Sequence, residues 1–221
     1  MPRFFQDFPG GDTARITGQD AVHIRRALRM KPGENLTLCN GKGTDYFCEI
    51  TGFEGEDVRL KVLYHTPTAC EPSVEVTLYQ GLPKGEKMEW ILQKADGKEE
   101  KKRVRWQKIA DEAAGQSGRG ILPPVEPPLP WKQAVERMRA AAVPVIAFYE
   151  GGGSPLSALV GREIRRLAVV VGPEGGFEPS EIVQLREIGA RVATLGPRIL
   201  RCETAPLAAL SVIMAMTGNM E

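Results

Sequence analysis

Residues 167–209 read LAVVVGPEGGFEPSEIVQLREIGARVATLGPRILRCETAPLAA, and this stretch decides the fold. Residues 167–171 are an apolar, β-branched run that drives straight into Gly172-Pro173-Glu174-Gly175-Gly176. Such a run, stopped by glycine and proline, predicts a buried strand ending in a loop. Glu178-Pro179 then opens a helix, with Pro179 suited to its first position, and Gly189 closes it. A second apolar run, residues 192–195, predicts another strand and ends in Gly196-Pro197-Arg198-Ile199-Leu200-Arg201. Strand, loop, helix, strand, loop is the rhythm of an α/β sheet. Ligands of such sheets sit outside the carboxyl ends of the strands, so both loops are expected to line one pocket.

Working outward, residues 143–149 form a strand that ends in Glu150-Gly151-Gly152-Gly153, a third glycine-rich loop at a strand end. Before it, Trp131, Ala134, Val135 and Met138 mark the core face of a helix that follows a proline-rich connector, residues 123–130. After the opening stretch, Ala205, Ala208, Ala209, Val212 and Met216 mark one face of a last helix. Residues 74–80 predict a strand, followed by the loop Gly81-Leu82-Pro83-Lys84-Gly85 and a helix with Met88, Ile91, Leu92 and Ala95 on one face. A second helix follows at once, with Trp106, Ile109, Ala110 and Ala113 on one face. Two helices without a return strand break the α/β rhythm: either the sheet is small, or a strand and its loop are missing from this sequence.

Residues 1–70 read differently. Short alternating runs at 14–17, 36–39, 46–51 and 58–63 predict closely spaced strands and hence a small β-barrel domain, with residues 66–73 as the linker to a second domain, 71–221. One helix interrupts them, with Asp20 as its expected N-cap, Ala21, Ile24 and Leu28 on its core face and Pro32-Gly33 at its end. Its other face carries Arg25, Arg26 and Arg29, followed by Lys31; a second basic cluster contains Lys94, Lys98, Lys101, Lys102, Arg103, Arg105, Lys108 and Arg119. Each is a solvated face or a phosphate-contacting patch.

Composition excludes several classes. With 42% hydrophobic and 26% charged residues among 221, the chain is neither disordered nor fibrous, and a net charge of +1 makes no global case for nucleic acid. Cys39, Cys48, Cys70 and Cys202 are scattered, and His23 and His65 are the only imidazoles, so no metal site is expected. Without a signal peptide or a membrane-length apolar run, the expectation is a cytoplasmic protein with buried thiols. The loops lack a P-loop ending and dinucleotide-binding glycine spacing, and Gly115-Gln116-Ser117-Gly118 is no nucleophile elbow. Glycines in one loop need only permit turns; three such loops in one domain point to a shared ligand.

Gly172-Pro173-Glu174-Gly175-Gly176-Phe177, then residues 195–201 reading LGPRILR, then Glu203-Thr204-Ala205 together resemble the signature of the SPOUT-class RNA methyltransferases, and more narrowly the bacterial RsmE family. Arg3-Phe4-Phe5, His23 through Leu28-Arg29, Lys84-Gly85-x-Lys87-Met88-Glu89 and Trp106-x-Lys108-Ile109 running to Gln116-Ser117-Gly118-Arg119 agree with it. Cys202 stands where members carry threonine. A Thr-Glu-Leu-Gly-like turn, a strand and an arginine-bearing loop of the family are absent after the helix containing Lys94. Ala95 and Asp96 are therefore expected not to be neighbours in the natural protein.

The resemblance implies a PUA-like β-barrel that binds RNA and an α/β domain with a trefoil knot. It implies S-adenosyl-L-methionine as cofactor and methylation of N3 of a uridine in 16S rRNA, in the assembled small subunit, by a homodimer. The cofactor residues it implies are Tyr149, Gly172, Glu174, Gly175, Gly176, Leu195, Gly196, Ile199, Leu200 and Thr204. Arg198, Arg201 and Glu203 are the implied catalytic residues; Arg3, His23, Arg25, Arg26, Arg29, Lys84 and Lys87 are the implied RNA contacts. Removing the N3 proton requires a base and a positive stabiliser: Glu174 and Glu203 are the carboxylates nearest the cofactor loops, Glu203 being alternatively a cap of the last helix, and Arg198 and Arg201 either steady the anion or hold the target phosphate. The residues themselves leave two alternatives open: a non-catalytic RNA-binding or ribosome-assembly protein, and a nucleotide-dependent enzyme on a doubly wound fold.

Overall fold

A computed structural model of the chain describes residues 1–82 and 99–221, with side chains from 103 onward in the second segment. The expected helix bearing Met88, Ile91, Leu92 and Ala95, the positions Lys84 and Lys87, and the junction of Ala95 with Asp96 lie outside the described residues. The chain forms two compact units, one of residues 1–71 with 107–124, the other of residues 72–106 with 125–221.

The first unit is a five-stranded sheet built from β1 (Arg3–Phe5), β2 (Thr13–Ile16), β3 (Asn35–Cys39), β4 (Thr44–Glu54) and β5 (Asp57–Pro67), in the order β1-β3-β4-β5-β2. β1 lies parallel to β3; the other pairs are antiparallel. Side chains alternate across each strand, so Leu36, Leu38, Tyr46, Cys48, Ile50, Val58 and Leu60 all face one core. Ala21 and Ile24 cover it from α1 (Gly18–Val22) and the single π-turn that follows, His23–Ala27. The expected barrel is a sheet whose two edges are linked by a side chain: the Gln6 amide donates to the Arg15 carbonyl at 2.6 Å. Two local expectations are corrected. The N-cap is Thr17, with Asp20 inside the first turn, and Leu28 is 42% exposed because the helix widens into the π-turn before reaching it, which shifts Leu28 off the core face.

Two carboxylates fasten the ends of this unit's segments. Asp45 takes both Arg3 guanidinium nitrogens at 2.7 Å and the Thr68 hydroxyl at 2.9 Å. Glu71 takes Arg119 at 2.9 Å and the backbone N–H groups of Gly120 and Ile121 at 2.6 and 2.8 Å. That clamp receives the chain leaving α2 (Glu99–Gln116), whose buried face is Trp106, Ala110 and Ala114. Ala113, expected on that face, is exposed, because burial follows an i, i+4, i+8 row.

The second unit is a wholly parallel five-stranded sheet in the order β6-β9-β7-β10-β8. Its strands are β6 (Glu75–Gln80), β7 (Val145–Phe148), β8 (Ser154–Pro155), β9 (Arg166–Val171) and β10 (Arg191–Thr194). Helices cover both faces, as a parallel sheet requires. Leu167, Val169 and Val171 of β9 pack with Ala205, Ala209 and Ile213 of α5 (Thr204–Met216). Ala168 and Val170 pack with Met138 of α3 (Trp131–Ala141) and with Ile182 and Leu185 of α4 (Pro179–Glu187). Five consecutive buried side chains in β9 make it the unit's anchor, each large one contributing roughly 2 kcal/mol by burial.

The expected α4 is borne out closely: Pro179 is its first residue, Glu178 and Glu181 form a capping box, and Gly189 follows its end at φ +84°. In α5 the core face is Ala205, Ala209 and Ile213, and Val212, expected on it, is 41% exposed. β8 is not expected from the sequence. β7 and β8 are successive in the chain, yet β10 lies between them, so the connection at residues 149–153 crosses β10. It crosses closely: a Cβ at Gly153 would lie 2.6 Å from the Val192 carbonyl oxygen.

Candidate functional site

Because the sheet of the second unit is parallel, the chain leaves β6, β7, β9 and β10 at one edge, and the glycine-bearing loops gather there. The Gly81 N–H donates to the Val171 carbonyl at 2.8 Å, joining the β6 and β9 exits. The Gln80 amide donates to the carbonyls of Gly81 at 2.9 Å and Gly172 at 3.3 Å. The Tyr149 N–H donates to the Ala193 carbonyl at 3.2 Å, joining the β7 and β10 exits. Residues 172–176 turn on the Gly176 N–H, which reaches the Pro173 carbonyl at 3.0 Å.

The approaches leave no room for side chains. A Cβ on Gly81 would lie 2.6 Å from the Pro173 nitrogen, and one on Gly172 would lie 3.1 Å from the Gly176 carbonyl carbon. A Cβ on Gly176 would overlap the Glu150 carboxylate, which places the β7 loop against the β9 loop. By contrast, nothing lies within 4 Å of a Cβ on Gly175 or Gly196. These two glycines border open space, where a ligand can approach the backbone. Gly196 also needs its glycine for conformation, at φ +98°, in a turn closed by the Thr194 hydroxyl.

Around this cradle, Leu195 and Leu200 pack half-buried on the core, whereas Ile199 is 82% exposed. Tyr149 is half-buried; Glu150, Glu174, Arg198, Arg201 and Thr204 are exposed. Cys202 is buried, and its thiol donates to the Glu203 carboxylate at 3.2 Å. Glu203 is half-buried at the N-cap position of α5, where helix polarity suits a carboxylate, although its side chain makes no capping hydrogen bond. Sequence reasoning missed two residues here, Gln80 and Glu150. Oε1 of Gln80 is buried without a hydrogen-bond partner among the described residues, at the mouth of the same cradle. A polar residue ending a half-buried strand beside a glycine is the available signal for Gln80.

The basic residues of the first unit are distributed otherwise. Arg3 is committed to Asp45 and lies 5.7 Å over the Phe5 ring. Arg25 donates to the Gly55 carbonyl at 2.5 Å and lies 5.1 Å over Phe53, and Arg26 lies 3.8 Å from Glu56. These two arginines thus brace the β4–β5 turn, beside a pocket of about 310 Å³. His23 and Arg29 are exposed. Cys39, Cys48 and Cys70 are free thiols, and burial pushes the Cys48 thiol up to about 11, leaving it unreactive. Among the described residues no three His, Cys, Asp or Glu side chains cluster, and no helix is long and apolar enough to cross a membrane.

Comparison with known proteins assigns both units. Residues 16–63 match the RNA methyltransferase PUA domain, and residues 95–214 match the RNA methyltransferase domain. The chain is 36% identical over 249 residues to ribosomal RNA small subunit methyltransferase E of Bacillus subtilis (strain 168), covering 98% of this chain and 97% of that protein. The crystal structure of a Ribosomal RNA small subunit methyltransferase E from Neisseria gonorrhoeae bound to S-adenosyl methionine superposes with a TM-score of 0.84 at 30% identity, covering 97% of each chain. A methyltransferase of Legionella pneumophila, in complex with the same cofactor, superposes with a TM-score of 0.80 at 27% identity, covering 96% of each chain. With a PUA-like β domain, a parallel-sheet methyltransferase domain and this likeness along nearly its whole length, the chain belongs to the family of ribosomal RNA small subunit methyltransferase E.

Proposed function

We propose that this protein binds S-adenosyl-L-methionine in the cradle at the carboxyl edge of the parallel sheet and methylates N3 of a uridine in 16S rRNA. The observation that carries this reading is the convergence of four strand exits on closely packed glycines, with Gly175 and Gly196 left bordering open space. The residues fit such a cofactor. Gly172, Gly175, Gly176 and Gly196 present backbone polar groups, Leu195, Ile199 and Leu200 offer apolar walls, and Tyr149, Glu174 and Thr204 stand at the rim. Gln80 Oε1, without a partner among the described residues, is one further acceptor there. When bound, the cofactor supplies a methyl group on a sulfonium, so the chain's task is positioning and proton removal.

Uracil N3 carries a proton that must leave, and the resulting anion spreads over the flanking carbonyl oxygens. In this reading Glu203 accepts the proton, and the exposed Arg198 and Arg201 steady the anion or grip the adjoining phosphate. The path of β10 between β7 and β8 supports the trefoil knot implied by the family. The 249-position alignment with the Bacillus subtilis protein, longer than this chain, supports the reading that a segment of such a protein has no counterpart here, and the junction of Ala95 with Asp96 is where the broken α/β rhythm and the family pattern put it. The enzyme acts in the cytoplasm, on the assembled small subunit, as a homodimer. The charge-free outer face of α5, formed by Thr204, Leu207, Ala208, Ser211, Val212 and Ala215, supports pairing with a second copy.

Calorimetric titration with S-adenosyl-L-methionine tests the first half, with stoichiometric binding expected and no binding removing the methyltransferase reading. Incubation of small subunits from a deletion strain with labelled cofactor tests the second. The label is expected on N3 of one 16S uridine; label on carbon or on ribose would overturn the N3 assignment alone.

A further inference from the structure

We propose that the outer face of the β4–β5 hairpin is a stacking platform for an unpaired base of the RNA, with Tyr64 as its ring and Lys61 and Arg59 as its phosphate contacts. The proposal rests on the reading of the protein as an RNA methyltransferase. It is carried by features of the first unit that the cofactor cradle does not use.

A register shift after Phe47 pairs Phe47 with Tyr64 and Cys48 with Val62, leaving Leu63 as the extra residue of a bulge. The bulge sets the Phe47 and Tyr64 rings 4.4 Å apart at an interplanar angle of 17°, a parallel stack. Here Tyr64 remains 55% exposed and Leu63 46% exposed. One face of the Tyr64 ring is backed by Phe47, which holds it rigid, and a rigid aromatic face on the surface is what a splayed-out base stacks on.

Charge decides the class of partner. Arg59 and Lys61 precede Tyr64 along β5, both exposed and neither in an ion pair among the described residues. This contrasts with Arg15, paired with Glu54 and Asp57, and with Arg25 and Arg26, held by the β4–β5 turn. Glu49 stands across from Lys61, and the nearby Glu54 and Asp57 are taken by Arg15. Two cations without an ion pair among the described residues, leading along one strand to an aromatic ring, suit a base with its adjoining phosphates better than an apolar protein surface. A paired helix hides its base faces, so the platform selects single strands or loops.

The test is fluorescence anisotropy of the full chain with a labelled single-stranded RNA oligonucleotide and with the same strand annealed to its complement. Tyr64→Ala is expected to weaken single-strand binding by about tenfold. It should leave the duplex nearly unaffected, and Tyr64→Phe should bind like the parent. Replacing Arg59 and Lys61 together by Gln is expected to lower the salt slope by about 1.4. Equal binding by Tyr64→Ala and the parent, equal losses on single strand and duplex, or no RNA binding by the parent would each overturn the proposal. A change of sedimentation in Tyr64→Ala would assign the face to a second copy of the chain instead, and would overturn it too. Calorimetry of Tyr64→Ala with S-adenosyl-L-methionine is the control. Unchanged affinity shows an intact fold, and absence of cofactor binding in the parent would remove the methyltransferase reading while the RNA result stood on its own.

Discussion

An alanine at position 81 would put its Cβ 2.6 Å from the Pro173 nitrogen, a backbone atom that can yield only if the whole residue 172–176 turn moves. An alanine at position 175 would meet nothing within 4 Å. The two substitutions therefore separate scaffold from ligand contact. Gly81→Ala is expected to lower stability by about 1–3 kcal/mol through overpacking and to weaken cofactor binding as a consequence. Gly175→Ala is expected to leave thermal stability within about 1 kcal/mol of the parent and still weaken S-adenosyl-L-methionine about tenfold or more, because the methyl occupies space reserved for the ligand. Thermal denaturation and calorimetry on both variants check this. Cofactor affinity unchanged in Gly175→Ala would remove Gly175 from the site. Of the two roles, the sequence shows only that glycines are there; which of them meets a backbone and which meets open space depends on loops far apart in the chain.

At the scale of elements, legibility followed the strength of the local pattern. β9 and α4 carry an unbroken apolar run, a proline at N1 and a closing glycine, and both form where those signals place them. β8 was invisible, since Ser154-Pro155 has no apolar pattern and is a strand only because β10 lies alongside it. The inward face of α5 was misread for a related reason. A helix apolar on all sides carries no periodicity that says which side is buried, so Val212 was expected inside and Ile213 takes its place. The Arg25 and Arg26 contacts with residues 53–56 are long-range pairings that helical spacing cannot reveal. The exit of α2 is likewise fixed at long range, by Glu71. Burial alone would raise that carboxyl group, but the hydrogen bonds from Arg119, Ile121 and Gly120 outweigh it and hold it below its ordinary 4.5. A depressed native value stabilises the fold above the unfolded value and is lost as pH falls through the native one. Glu71→Gln is thus expected to cost about 1–2 kcal/mol at neutral pH, the pair being partly solvated. Denaturation midpoints of parent and variant should converge as pH falls below 4.5. A gap that is constant with pH would mean that the clamp works by shape and not by charge.

At the scale of the whole molecule, α5 is the element with two faces to account for. Ala205, Ala209 and Ile213 are buried against the sheet, and the opposite face exposes Leu207 at 48% and Val212 at 41% among small residues and one serine, without a charge. An isolated domain gains nothing by keeping such a face in water, and the small side chains of Ala208, Ser211 and Ala215 would let a second backbone approach closely. The same helix begins beside Arg198, Ile199, Arg201 and Glu203, so a partner seated on α5 would lie next to the residues proposed for catalysis. Leu207→Glu puts one charge at the centre of that face and touches nothing in the core. Sedimentation is expected to give twice the chain mass for the parent and the single chain mass for Leu207→Glu, with the circular dichroism of the two alike. If the second copy completes the site, the monomeric variant should also bind S-adenosyl-L-methionine more weakly and lose most methyl transfer. Monomer with full activity would confine the site to one chain, and a parent that sediments as a monomer would leave α5 without the second copy proposed for it.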